Sequence, residues 1–277
     1  MSPHPHWVCV QGDRWRHVGV DWANGAWVAV GYPVDGPPGV AVYDTIEQCW
    51  NANGDTADRI IVDIPIGLCS ETTATPWEVD DDGEHSRRCD DVARSIISPR
   101  WSSVFTAPCR EAAELAADDD AAYSDVNETN REVTGKGLSQ QAANIAPAIA
   151  AVDELLLEGD GDPDVLVEGH PEVCFRAFAD DPLQHNKRTA PGVAIRLKAL
   201  EASTNYQAGT WRDLATALAD DERTVDLDDL LDALALALTA RADDDAFHRL
   251  PSPDPPNDAD GLPMQMVYRR AEPFEHD

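Results

Sequence analysis

The stretch RIIVDIPIG, residues 59–67, decides how this chain is read. Ile60, Ile61, Val62, Ile64 and Ile66 form a short apolar run closed by Pro65 and Gly67, the pattern of a strand covered on both faces. Asp63 stands inside it. An unpaired carboxylate in such a place costs roughly several kcal/mol, so it must be neutralised, hydrogen-bonded or held against a cation. The rest of the sequence has to supply that partner.

Upstream, HVGVDWANGAWVAVGY at 17–32 reads as two alternating strands joined at Asn24-Gly25, a strong hairpin signal. GVAVYD at 39–44 adds a third strand after a Pro/Gly turn, and TIEQCWNAN at 45–53 suits a short helix before the quoted strand. From Ser70 to about Asp162 the texture changes to acidic, alanine-rich helices, including SRRCDDVARSII, REAAELAADDDAAY and SQQAANIAPAIAAVDELLLE. This is read as a helical insertion. Strand character returns in DVLVEGHPEVCF at 164–175, followed by helices around 192–202 and 210–218 and a last helix in DLDDLLDALALALTARA at 226–242. The Pro- and Asp-rich tail from Leu250 reads as extended, with MQMVY able to add a short strand. The expected organisation is an extension at 1–16, one domain over 17–268 and a tail at 269–277.

The 277 residues are 43% apolar, enough for a substantial core. The charge is unusual: 52 acidic against 21 basic residues leave a formal net charge of -31. Lysine occurs only at 136, 187 and 198, and aspartate runs occur at 80–82, 118–120 and 243–245. This composition resembles proteins of salt-loving archaea and implies a cytosol with molar salt. At about 1 M salt the Debye length is roughly 3 Å, so net charge does not exclude a polyanionic partner. The six cysteines form no C-x-x-C pair, the N-terminal residues lack the flanks of a signal peptide, and no apolar run reaches membrane-spanning length. The expectation is a reduced, cytoplasmic protein without membrane contact.

Four acids stand where a core should reject them. In HVGVDWA, alternation puts Val18, Val20 and Trp22 on one face and Gly19, Asp21 and Ala23 on the other. Glu168 ends the apolar run VLVE, with His170 two residues on. In the last helix Leu227, Leu230, Leu231, Leu234 and Leu238 make a core stripe, and from Ala233 to Ala240 nearly every face is apolar. Asp226 and Asp228 are explained as helix-start residues. Asp232 lies beyond the first turn, with Asp229 as its i,i+3 neighbour. A terminal helix crossing the sheet brings Asp232 to Asp21, Asp63 and Glu168, and clustered carboxylates ionise together only if a cation joins them. Hard oxygen ligands point to Mg²⁺ or Mn²⁺, held by Asp21, Asp63, Glu168, Asp229 and Asp232.

This acidic set on this element order resembles the RNase H-like superfamily, with GVDWA matching the first-strand aspartate and DDLLDALALAL the D-x-x-D-A-L-A helix of Holliday-junction resolvases. VDIPIGL, SSVFTAP, TGKGLSQQ, VEGHPEVCF, DALALALTA and GLPMQMVY look more closely like DUF429, an uncharacterised family usually labelled a predicted nuclease. The resemblance runs from about His17 to Tyr268. It implies an α/β, RNase H-like mixed five-stranded sheet flanked by helices, with a helical insertion. RNase H enzymes proper carry a glutamate on the first helix, where this chain offers only Glu47, while Glu168 is a feature of the closer family.

For a phosphate-bearing substrate, Lys136 falls in the glycine-flanked TGKGLSQQ turn, and Lys187 and Arg188 lie in HNKRT. Arg87, Arg88, Arg94, Arg100 and Arg110 in the insertion offer further contacts, weighed against salt bridges to the abundant acids. Trp101 and Phe105 are read as base-stacking or core rings. The leading expectation is a Mg²⁺-dependent hydrolase of nucleic-acid phosphodiester bonds, with Asp21, Asp63, Glu168 and Asp232 at the reaction centre and His170 as proton carrier. The rivals are an actin-like phosphotransferase, for which glycine-rich phosphate loops are missing, and a silent RNase H-fold binding module.

Overall fold

The structure, a computed structural model, describes residues 14–70, 78–79, 85–118, 120–179, 181–221 and 223–275. Most of the expected N-terminal extension, the aspartates at 80–82 and Asp119 lie outside the described residues.

The chain opens with strands β1 (His17–Ala23), β2 (Ala26–Tyr32) and β3 (Gly39–Tyr43), joined in sequence. Asn24 and Gly25 both take positive φ, 52° and 83°, which is what a two-residue turn needs to follow the twist of its strands. Helix α1 (Ile46–Asn53) starts at Thr45, whose hydroxyl accepts the Gln48 N–H, and β4 (Arg59–Val62) follows. The insertion holds two antiparallel strands of two residues each, β5 (Glu78–Val79) and β6 (His85–Ser86), then α2 (Arg88–Ile96), a 3₁₀ turn at Trp101–Ser103, α3 (Arg110–Ala116), α4 (Tyr123–Thr134) and α5 (Gln140–Leu157). After it come β7 (Leu166–Glu168), α6 (Pro171–Phe178), α7 (Ala190–Ala202), α8 (Thr210–Ala217), α9 (Leu227–Ala240), β8 (Phe247–Leu250) and β9 (Met266–Arg269).

The main sheet is five-stranded and mixed, in the order β3-β2-β1-β4-β7. β1 runs antiparallel to β2 and parallel to β4, which in turn runs parallel to β7. This is the α/β architecture expected from the sequence, and the MQMVY strand forms by pairing with β8. One difference concerns REAAELAADDDAAY: α3 stops at Ala116 and a new helix starts at Tyr123. Asp118 and Asp120 fall in the break, where low helix propensity and mutual repulsion disfavour continuation.

Alternation along the strands assigns the two faces. Val18, Val20, Ile60, Val62 and Leu166 pack with the helices of the insertion. Val28, Val30, Ile61 and Val167 pack with α6 to α9. Helix α9 lies close on this second face because Gly19 has no side chain. A Cβ there would come within 2.1 Å of the Ala237 nitrogen and 2.2 Å of the Ala233 oxygen. Among the described residues no helix is long and apolar enough to cross a membrane.

Candidate functional site

Strand register builds the centre of the site. Val20 lies opposite Val62 in the parallel pair β1/β4, so the next residues, Asp21 and Asp63, come side by side at the carboxyl ends of their strands. The Asp63 N–H donates to the Val20 carbonyl at 2.9 Å, which continues the ladder by one residue. Asp21 sits opposite Val28 of β2, on the face covered by α9, and is only 5% exposed. Asp232 enters from that helix at 3% exposure, one residue before the Ala233 that rests on Gly19.

The electrostatics show what this proximity does. Burial, then Asp63 and Asp232, push the Asp21 carboxyl well above its ordinary range. Burial also raises Asp63, against the opposing influence of His170 and Lys187. The two carboxyls act on each other unequally: Asp63 raises Asp21, while Asp21 draws Asp63 the other way. Asp232 is pushed up to about 7 by burial, with Lys187 pulling the other way, and Asp229 to about 6 by burial and then by Asp228.

Lys187 is the resident counter-charge. Its ammonium, on the loop between α6 and α7, lies 2.5 Å from Asp232 and 3.6 Å from Asp228. Burial works against that ammonium, but Asp232 and Asp21 outweigh it and raise its pKa, so it stays protonated. Its side chain is 31% exposed, so it is not locked in the interior. A residue read from the sequence as a phosphate contact therefore stands among the acids. The partners are 45 residues apart, and no local pattern announces them.

Glu168 is not part of this group. Val62 pairs with Glu168 across β4/β7, so Glu168 points with Val62 to the opposite face of the sheet from Asp21 and Asp63. There it ion-pairs with the fully buried guanidinium of Arg87, which also lies 3.2 Å from Asp90. The same pair holds the segment that carries Asp63: the Ile66 N–H donates to Glu168 at 2.8 Å, and Arg87 donates to the Ile66 carbonyl at 2.8 Å. Burial pushes Glu168 up to about 7 against the pull of Arg87. The partner of the acid in VLVE is thus an arginine 81 residues earlier.

His170 closes the site from the third parallel strand. It caps α6 by accepting the Glu172 N–H at Nδ1, 3.2 Å, which leaves Nε2 to donate to the Ser103 carbonyl at 3.3 Å. Glu172, two residues on and buried, pairs with Arg196, and its charge reaches Asp63 and Asp232. Sequence reasoning passed over Glu172 because a glutamate in the first turn of a helix needs no further explanation.

The remaining expectations separate. Asp228 does more than start a helix: it is buried and accepts from the Arg188 Nε at 3.1 Å, while Asp226 makes no side-chain cap. Asp226, Asp228 and Asp229 offer oxygens within 4.8 Å of one another, and the Asp229 charge reaches Asp21. Glu47 lies on α1, whose Ile46 and Cys49 pack on the face opposite the aspartates. Lys136 follows Gly135, which ends α4 at φ 76°, and its carbonyl accepts from Asn130 at 2.8 Å within the α4–α5 turn. Among the insertion arginines, left open between phosphate contacts and salt bridges, Arg87 and Arg110 are salt-bridged, and buried. Arg110 is held by Asp153, Asp258 and Asp260.

A family model described as "Protein of unknown function (DUF429)" matches residues 19–256. No curated protein and no solved structure matches the chain.

Proposed function

We propose that this chain, which belongs to the DUF429 family, is a divalent-metal-dependent hydrolase of phosphodiester bonds in nucleic acid. One observation carries the reading: Asp21, Asp63 and Asp232 converge from two strands and a helix, with Lys187 the only ammonium among them in the described residues. Their donor set is oxygen only, and burial first, with their mutual charges behind it, holds the Asp21 and Asp232 carboxyls above the ordinary range, so the residues suit Mg²⁺ or Mn²⁺. Asp21, Asp63 and Asp232 would hold the ion, with Asp229 beside them. Bound there, it would supply an activated water and charge stabilisation at the leaving oxygen.

The chain's own groups supply the rest. Glu168 and Arg87 fix the Ile64–Ile66 segment and so the direction of Asp63. Lys187, partly exposed on its loop, is free to turn to a substrate phosphate once its carboxylates are otherwise neutralised. His170, one hydrogen bond from Ser103 and within electrostatic reach of Asp63, is placed to carry a proton.

Lys187 also favours a second reading, a silent binding module in which the ammonium already compensates Asp232. A cleavage screen at high KCl with Mg²⁺ and Mn²⁺, over branched, duplex and single-stranded substrates, separates the two, with Asp63→Asn as control. Metal-dependent cleavage lost in the control supports the hydrolase. Absence of cleavage, together with a melting temperature indifferent to metal, sinks it.

A further inference from the structure

We propose that the 3₁₀ turn beside the acidic site is a nucleotide platform, on which Trp101 stacks an unpaired base and Arg100 meets the adjoining phosphate. The proposal rests on the hydrolase reading and narrows its substrate class to nucleic acid with single-stranded character.

Four observations lead there. First, Trp101 is 59% exposed, and it packs into neither core cluster of the described residues, unlike Phe105, which lies against the insertion-side core. A large ring left in water on a chain this polar calls for an occupant. Second, the turn adjoins the site, because the carbonyl of Ser103 receives the His170 Nε2 at 3.3 Å and His170 acts on Asp63.

Third, the turn is held rigid, which lowers the entropy lost when a ligand binds. The Ser103 N–H and hydroxyl donate to the Arg100 carbonyl at 2.9 and 2.7 Å. Arg94 reaches from α2 to the Val104 carbonyl at 3.2 Å and the Phe105 carbonyl at 3.3 Å. Fourth, Arg100 makes no ion pair among the described residues, and its Nε is buried without a hydrogen-bond partner. In a chain with 52 acidic residues, an arginine without a carboxylate among the described residues, next to an exposed indole, is a feature that an anionic, planar ligand explains.

The net charge strengthens the case. At -31 the protein's field opposes a polyanion. Stacking on an uncharged ring is a contact which that field does not oppose and which salt does not screen. A duplex keeps its bases stacked on one another and has none to offer, so the platform selects strands that are already open.

The test is anisotropy of labelled oligothymidine and of a labelled duplex, with chelator present to prevent cleavage, at fixed KCl. Trp101→Ala should weaken binding of the single strand about tenfold or more, Trp101→Phe should keep most of it, and the duplex should change by less than about twofold. Arg100→Gln should weaken the single strand and flatten its salt dependence. With Mg²⁺, Trp101→Ala should raise KM for single strands and leave kcat near the wild-type value. If Trp101→Ala binds and cleaves single strands as the wild type does, the platform is overturned and the hydrolase stands. If the wild type neither binds nor cleaves any nucleic acid, the hydrolase reading falls and takes the platform with it. Since Trp101 is exposed, its variants test binding without threatening the fold.

Discussion

Two acidic knots lie on opposite faces of one sheet, and they differ in how their charge is met. On the insertion side, Glu168 and Asp90 close around Arg87, whose fully buried guanidinium also satisfies the Ile66 carbonyl. On the α9 side, Asp21, Asp63 and Asp232 gather around Lys187, a partly exposed ammonium on a loop. A guanidinium is a planar fork that fixes carboxylates in place, whereas an ammonium is a point charge on a flexible stem. Burial of an acid is therefore a poor mark of a site. Surplus negative charge behind a movable cation is a better one.

The largest effect should come from breaking the closed knot. Arg87→Leu leaves Glu168 and Asp90 buried without their cation, and should destabilise the fold by about 3 to 5 kcal/mol in urea or thermal unfolding. Asp63→Asn, on the open side, should leave the metal-free protein equally or more stable. It should cut turnover at least about a hundredfold, near 2.7 kcal/mol of transition-state stabilisation. If Asp63→Asn unfolds the protein as Arg87→Leu does, the contrast between scaffold and site is lost.

pH sharpens the comparison. Asp232 at about 7 and Asp229 at about 6 stand above the unfolded carboxylate range, and Asp21 is raised well above it. The folded protein therefore holds more protons than the unfolded chain between about pH 4 and 7, and metal-free stability must fall as pH rises through that window. Glu168, at about 7, adds a fall of the same sign from the closed knot. Only the open knot's share should vanish when Mg²⁺ is added. Melting temperatures at about pH 5 and 8, with metal and with chelator, read the difference, and Asp232→Asn should flatten the chelator curve. A pH response untouched by metal would assign it all to the closed knot.

Asp228→Asn should have the smallest effect. It weakens a pair with an Arg188 whose side chain is 73% exposed, worth about 0 to 1 kcal/mol, and a looser 3.6 Å pair with a Lys187 that keeps its closer partner Asp232, and activity should stay within a few-fold of wild type. A loss comparable to that of Asp63→Asn would move Asp228 into the reaction centre.

The hairpin at Asn24-Gly25, the strand IIV before Asp63 and the apolar second half of α9 were legible because each rests on local rules: turn chemistry, β-branched runs and helical periodicity. The same rules exposed Asp21, Asp63 and Asp232 as carboxylates out of place, and with them most of the candidate site. Which acids meet is not a local property. A shift of one residue in strand register exchanges the two faces of a sheet, so the pairing of Val62 with Glu168, and not with Gly169, sends that glutamate to Arg87. The place of Lys187 among the aspartates depends likewise on α9 settling on Gly19 and on the α6–α7 loop returning over it. The amino-acid sequence by itself determined the elements and the carboxylates that need a partner. Only the tertiary structure decided which cation each one received, because an ion pair is set by distance in space, and its members here stand 45 and 81 residues apart along the chain.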